Sequence, residues 1–533
     1  MQVLCGLALG SVHALSFAPW PAWWLQLISL STLILLWLRR VPGDHKLDGL
    51  LLPFSFGIGW FGLGISWLYI SMHRYGGMPA PLAATAVLLL SIVLTLFTSA
   101  AYGVAKYFDR DRRDGMPARI SGAADGIVAA VSFGALWLLA EWGRGWLFTG
   151  FPWLASGYAH IDGPLVGYAP LLGVYAVSGL AATIAYLIAT SALAWFKRAR
   201  FNRNESTQTA RAALTANLLL VAALLIGGML AKRIDWSQAH GQPLNVRLLQ
   251  ANVPQQMKFV PGAAARSMQQ YSKMATAPSS LGALDLIVMP ETAWTIPWQA
   301  TPPAIVEQLF STSGNTRSPA IAIGMPLAVD TALGTIANSV LMLRGDKLRD
   351  LSARYDKQHL VPFGEFVPFG FQWFVDLMNI PLGSFARGSA TQAPLVVAEQ
   401  RVAFNICYED VFGEELAWSV RRDGGNASVL VNISNIGWFG DSLALPQHLQ
   451  IARMRAIELA RPMLRATNTG VTASIDARGV VRAALPNFSI GVLEDQVVGM
   501  VGDTPFARWT HMPSLLFSLS LLVVLLLKRR YNA

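Results

Sequence analysis

Val402-Ala-Phe-Asn-Ile-Cys407-Tyr408-Glu409-Asp410 decides how this chain is read. An apolar run of strand type carries one cysteine to its end and sets acidic side chains directly behind it. Two further stretches are built the same way. Leu286-Ile-Val-Met-Pro290-Glu291 is a buried strand ending on a carboxylate, and Tyr355-Asp-Lys357-Gln-His-Leu-Val-Pro-Phe-Gly-Glu365 takes a lysine into a turn-rich loop. A thiol attacks well only as thiolate, which it becomes beside a base or a positive charge. Glu291 suits the base, and Lys357 suits an oxyanion formed when Cys407 attacks a carbonyl. Such a set makes and breaks a thioester. A lone strand cysteine is usually a core filler; three stretches of this kind in one domain reverse that reading.

Around these stretches the chain is too apolar for a water-soluble protein. Of its 533 residues, 53% are hydrophobic and only 14% charged, with a mean hydropathy of +0.42, and the apolar residues cluster. A polytopic membrane protein is expected, with eight spans at roughly 2–19, 22–38, 50–70, 81–107, 123–148, 171–196, 213–231 and 511–527. Residues 2–19 lack a basic n-region and Pro21 opens another apolar run, so they read as a first span rather than a signal peptide. The net charge of +10 sits beside the spans, which points to membrane orientation and not to nucleic acid. Basic residues follow the second, fourth, sixth and last spans (Arg39, Arg40 and Lys46; Lys106 to Arg119; Lys197 to Arg211; Lys528 to Arg530). By the positive-inside rule both termini are cytoplasmic and the region between spans seven and eight lies outside. Zinc spacing, P-loop and dinucleotide fingerprint are all missing from the sequence, and Cys5 and Cys407 imply no disulfide framework.

The expected organisation is a transmembrane domain of seven helices over 1–231, a catalytic domain over 232–509, and an eighth helix with a short tail over 510–533. In the middle region Leu244–Val253, Leu284–Met289, Ala320–Gly324, Asn338–Leu343, Val402–Cys407 and Ser428–Ile433 read as strands, and 303–311 and 446–461 as helices, the second opened by Pro446. Buried apolar strands alternating with helices predict an α/β sandwich with reactive residues at strand ends. Glu141 and Arg144, three apart in an apolar stretch, are expected to pair.

These residues resemble the nitrilase, or carbon-nitrogen hydrolase, superfamily, whose three motifs match Pro290-Glu291, Tyr355 to Glu365 and Cys407-Tyr-Glu409 in order. Eight spans with this domain inserted before the last resemble its membrane branch, the apolipoprotein N-acyltransferases, over essentially the whole chain. Gly145 to Trp153, Ser434-Asn-Ile-Gly-Trp438-Phe-Gly and Gln447 to Glu458 add to the match. The resemblance implies an α-β-β-α sandwich with Cys407 as nucleophile, Glu291 as general base and Lys357 at the tetrahedral intermediate. Glu365 would be the second carboxylate that positions the lysine, Tyr408 and Glu409 would flank the nucleophile, and Phe259 and Trp438 would contact substrate. It further implies a phospholipid acyl donor, a diacylglyceryl-apolipoprotein acceptor, a monomer in the bacterial inner membrane with its catalytic domain periplasmic, and no cofactor or metal. Two positions depart from the pattern: Ile436 stands where the family has Asp, and Phe259 where it has Trp.

The aromatic loop from Val361 to Ala390, with Phe363, Phe366, Phe369, Phe371, Trp373, Phe374, Leu377, Met378 and Ile380, is expected to cover the acyl chain or touch the bilayer. Arg453, Arg455, Arg461 and Arg465 are candidates for a lipid phosphate, against the ordinary alternative of paired or surface arginines. Two other functions compete. A membrane-tethered amidase or nitrilase would use the same thioester, but a small soluble substrate needs neither eight spans nor an apolar loop. A transporter would need charged or broken helices at the bilayer midplane.

Overall fold

A computed structural model describes residues 1–39, 48–109, 123–200, 207–258, 260, 262–310, 318–330, 334–345, 347–348, 350–373 and 385–532. The chain divides into two compact units: Met1–Ser66 with Pro81–Ile234 and Trp509–Ala533, and Trp67–Ala80 with Asp235–Arg508.

The first unit is helical. Among the described residues five helices are long and apolar enough to cross a membrane, within Ala80–Phe108, Ala124–Thr149, Val174–Phe196, Arg211–Ala231 and Met512–Tyr531. Gln2–Ala14 and Trp23–Leu38 are apolar but shorter. Leu218, Leu219, Ile226 and Leu230 on one helix, and Leu516, Phe517, Val523 and Leu527 on another, are exposed; contiguous bare leucines of this kind belong in hydrocarbon.

The span expected at 50–70 is not one rod. Its helix ends at Gly64, and the next turn, from Trp67, leaves at 51°. The break follows from what Trp67 finds beyond it. Its indole Nε1 donates to Gln447 Oε1 at 3.2 Å and its ring meets the edge of Phe439 with centroids 4.5 Å apart, so Trp67–Ala80 belongs to the second unit.

The second unit holds two six-stranded sheets. One, in the order β12-β1-β2-β3-β4-β5, is made of Gln238–Gln250 (β1), Leu286–Val288 (β2), Ala320–Asp330 (β3), Thr335–Leu343 (β4), Arg354–Asp356 (β5) and Gly491–Val501 (β12). The other, β11-β10-β9-β8-β7-β6, is made of Leu395–Val397 (β6), Gln400–Ile406 (β7), Val429–Ser434 (β8), Met463–Thr467 (β9), Ala473–Ile475 (β10) and Val481–Ala484 (β11). Both are parallel at the centre (β1-β2-β3 and β7-β8-β9) and antiparallel towards the edges.

Side-chain alternation sets the layers. Val429, Val431 and Ile433 of β8 join Phe404 and Ile406 of β7 against Val246, Leu248 and Val288 of the opposite sheet, while Leu430 turns the other way. Leu430 and Ala403 pack on helices Gly413–Val420 and Ala444–Leu459. Ile287, Ile321 and Leu341 pack on helices Ala263–Thr276 and Pro303–Phe310. The result is a four-layer α-β-β-α sandwich. Strands buried on both faces read as continuous apolar runs, which is why β2, β7 and β8 stand out in the sequence.

Candidate active site

Glu291, Lys357 and Cys407 lie just beyond the C-terminal ends of β2, β5 and β7. Because β2 and β5 belong to one sheet and β7 to the facing one, these ends bring the three residues together between the layers. All of this lies within the second unit.

Two carboxylates grip one ammonium. Lys357 Nζ is 2.9 Å from Glu365 and 3.6 Å from Glu291 Oε1. Asn338 Nδ2 bridges the two acids, donating to Glu291 Oε1 at 2.7 Å and to Glu365 Oε1 at 2.8 Å. The other oxygen of Glu291 accepts from Asn435 N at 2.8 Å, and the other oxygen of Glu365 from Val361 N at 2.9 Å. Backbone contacts fix the lysine: Lys357 N donates to Asn338 O, and Gly388 N to Lys357 O, both at 2.8 Å. Burial alone would lower Lys357; Glu365, Glu291 and Cys407 together outweigh burial and hold it above the ordinary lysine range. It stays a cation.

Cys407 ends β7 with φ +54° and opens a 3₁₀ turn, Cys407–Val411. This left-handed conformation is uncommon away from glycine and persists only where the surroundings enforce it. Asn432 Nδ2 and His448 Nε2 both lie 3.2 Å from its carbonyl oxygen. Burial pushes the Cys407 thiol well above its usual range and Glu291 adds to the shift, while Lys357 opposes it. Burial, with Glu291, Glu365 and Asp410 behind it, outweighs Lys357, so the resting group is a thiol.

Glu409 joins the lysine loop to the cysteine turn. Its Oε1 accepts from Gln358 N at 2.6 Å and His359 N at 3.0 Å; its Oε2 accepts from Ile406 N at 2.6 Å and from the Tyr355 hydroxyl at 2.9 Å. Burial raises this carboxyl to about 7 against the opposing effects of Lys357 and the backbone donors. Tyr408 packs its ring on Phe412 and His359. Lys258 stands near Glu291, donating to Thr292 O at 3.3 Å; burial lowers it to about 8, with Glu291 opposing.

Known proteins resemble the chain along almost its whole length. The model of the apolipoprotein N-acyltransferase N-terminal domain matches residues 9–187, and the carbon-nitrogen hydrolase model matches residues 245–506. An apolipoprotein N-acyltransferase of Ralstonia nicotianae is 46% identical over 525 residues, covering 98% of this chain and 92% of the relative. Those of Bordetella bronchiseptica and Nitrosomonas europaea are 43% and 39% identical, each covering at least 93% of both chains. The chain belongs to the apolipoprotein N-acyltransferase family.

In this family member the structure gathers Glu291, Lys357, Glu365, Cys407, Tyr408 and Glu409 in one place. Trp438 lies on the 3₁₀ turn Ile436–Phe439, which follows Asn435 and so begins beside Glu291; its ring is partly exposed and meets the edge of Tyr75 at 5.9 Å between centroids. Phe259 falls outside the described residues. Ile436, the apolar replacement, is buried with Cδ1 2.4 Å from where a Cβ on Gly470 would stand, so bare backbone makes room for it.

One expectation changes. The arginines are not placed for lipid phosphate. Arg455, Arg461 and Arg465 are fully buried, paired with Glu458, with backbone carbonyls such as Ala427 O and Gly502 O, and with Asp410 respectively, while Arg453 Nε donates to Gly479 O. Desolvated guanidinium groups need such partners at hand. In the first unit, Glu141 accepts from Ser156 N, the Ser156 hydroxyl and Trp137 Nε1, whereas Arg144 donates to Phe151 O and Trp153 O. Glu141 and Arg144 also interact electrostatically, as expected, and together they brace this loop.

Of the aromatic loop, Phe363 and Phe371 meet edge to face at 5.4 Å, Phe366 lies under Arg387, and Phe369, Phe371 and Trp373 are exposed. Phe374, Leu377, Met378 and Ile380 are outside the described residues. The sequence reading missed Asn338, Asn432, Asn435, Lys258, Tyr355 and His448. The asparagines lie in or beside strands, and nothing in their immediate neighbours marks them.

Proposed function

We propose that this protein transfers an acyl chain from a phospholipid, through a thioester on Cys407, to the α-amino group of an S-diacylglyceryl cysteine at the start of an apolipoprotein. The observation that carries the proposal is the buried Glu291–Lys357–Glu365 cluster beside Cys407, in a chain of this family.

In the first half-reaction Cys407 Sγ attacks the sn-1 ester carbonyl while Glu291 takes the thiol proton. Lys357 stabilises the oxyanion, and collapse breaks the C–O bond as Glu291 returns its proton to the lysophospholipid oxygen. Since the resting group is a thiol, proton removal must accompany attack. In the second half-reaction the acceptor amine adds to the thioester and gives its proton to Glu291. The tetrahedral adduct expels the Cys407 thiolate, which recovers a proton, and an amide remains. The two halves share one base and one oxyanion site, so the kinetics are ping-pong. Glu365 tethers Lys357, and Glu409 keeps the lysine loop in register with the cysteine turn.

The same proposal sets the chain in the bacterial inner membrane as a monomer, with eight spans, cytoplasmic basic loops and the sandwich on the periplasmic side. The membrane domain runs over 1–231, the catalytic domain over 232–509 and the last helix from 510. Gln2–Ala14, Trp23–Leu38 and the bent Gly49–Tyr75 pair would be the short members of the eight. The exposed Phe369, Phe371 and Trp373 would face lipid.

The test offers purified protein a phospholipid with a labelled sn-1 chain and a diacylglyceryl-cysteine peptide. Label should move to the peptide as a hydroxylamine-stable amide with wild type and not with C407S. Release of free fatty acid without peptide labelling would favour a hydrolase and contradict the transferase.

A further inference from the structure

Behind Cys407 lies a buried polar cluster that the reaction above does not use. Asp410 stands on the 3₁₀ turn, His448 on helix Ala444–Leu459 and Arg465 on β9, and each is at most 1% exposed. Arg465 Nη1 donates to Asp410 Oδ2 at 2.9 Å, and Arg465 Nη2 lies 3.0 Å from His448 Nδ1. His448 Nε2 reaches Asp410 Oδ1 at 2.8 Å and the Cys407 carbonyl oxygen at 3.2 Å.

The partners determine the tautomer. A guanidinium has donors and no acceptor, so Nδ1 must offer its lone pair to Arg465. The ring proton therefore sits on Nε2, facing two oxygens that both require a donor. A second proton on Nδ1 would point at the guanidinium. Burying an ion pair and an imidazole is costly compared with apolar side chains of equal volume, and the cluster ties together three elements next to Cys407.

We propose that Asp410, His448 and Arg465 form a positioning device for the nucleophile. Arg465 and Asp410 hold His448 with its proton on Nε2, and His448, with Asn432, anchors the carbonyl that locks Cys407 in its left-handed conformation. His448 is a positioning residue: it exchanges no proton with substrate and acts only through the Cys407 backbone. The inference rests on Cys407 being the nucleophile.

The experiment compares wild type, H448Q and H448A in detergent. It follows the first-turnover rate of lysophospholipid release and the phospholipid concentration at half-saturation, with melting curves for each protein. Glutamine offers one donor and one acceptor, as the neutral imidazole does, and cannot carry a proton. H448Q should keep the acylation rate within about threefold. H448A should slow it on the order of 100-fold, the cost of a nucleophile displaced by about 1 Å, with half-saturation unchanged. If H448A does not fold, H448N, too short to span both oxygens, replaces it with the same expectation. A folded H448Q as slow as H448A would overturn the proposal in favour of a proton-transfer role, and a folded H448A or H448N as fast as wild type would overturn it outright. Failure of wild type itself to release lysophospholipid would instead strike at the nucleophile assignment beneath it.

Discussion

Burial, more than any charge near it, decides how the chemistry of Cys407 must run. It biases the group towards the neutral thiol, and Glu291, Glu365 and Asp410 add to that bias against the opposing Lys357. Unlike a thiol paired with an imidazolium, Cys407 should be a poor target for alkylation. Iodoacetamide at pH 8, followed at Cys407 by peptide mass mapping, should react at least about tenfold more slowly than with free cysteine, whose ordinary pKa is about 8.5. Reaction as fast as free cysteine would mean a resting thiolate. In the proposed mechanism Glu291 is then indispensable: E291Q should lower the rate of lysophospholipid release by about 10²–10⁴-fold, the usual contribution of a positioned general base, without changing the melting temperature by more than a few degrees. The three principal residues were legible because each ends an apolar run or opens a turn. Asn338, which bridges the two acids, was not: it begins a run read only as a strand, and nothing local says that its amide faces a carboxylate.

At the scale of elements, close approaches hold the site in register. Gly324 of β3 lies against the turn that carries the base, where an added Cβ would stand 2.3 Å from Pro290 O and 2.7 Å from Glu291 Cα. Both obstacles are backbone and cannot swing away. G324A should destabilise the catalytic unit by about 1–3 kcal/mol, as overpacking does, and should reduce activity more than its loss of stability explains, because the displaced residue is Glu291. Melting curves and lysophospholipid release on the same sample separate the two effects. Elsewhere β1 and β12 are joined by Arg247, whose guanidinium also caps the carbonyls of Met274 and Ala275 at the end of a helix, and by its partner Glu494 at 2.5 Å. Burial would raise Glu494, yet hydrogen bonds from Ser280 and Arg247 outweigh it and bring the carboxyl down to about 2 from an unfolded value of 4.5. A depressed carboxylate adds stability that is complete above pH 4.5 and is lost as pH falls towards 2. E494Q should therefore melt lower than wild type at pH 7, and the gap should close on acidification through that window. A gap independent of pH would remove charge from the explanation. Strands β1–β4, β7 and β8 could be read from their apolar runs; β9 to β12 could not, since Arg465, Arg482, Glu494 and Asp495 break the pattern where ion pairs, not apolar contacts, satisfy the side chains.

For the whole molecule, the sequence separates apolar helices from an α/β insert with little ambiguity, because a bilayer and a sheet core demand different lengths of apolar chain. What it concealed was the break after Gly64. Residues 50–70 look like one span by hydropathy, and the contact of Trp67 with Gln447, 380 residues along the chain, leaves no local trace. The central claim remains covalent: one cysteine carries the acyl group between two lipids. Intact mass spectrometry of the purified protein after incubation with a phospholipid of defined sn-1 chain tests it most directly. The account predicts a hydroxylamine-labile increase equal to that acyl group, absent in C407S and discharged when a diacylglyceryl-cysteine peptide is added. An unmodified wild-type mass while acyl groups are still transferred to the peptide would contradict the thioester and require direct transfer between the two lipids.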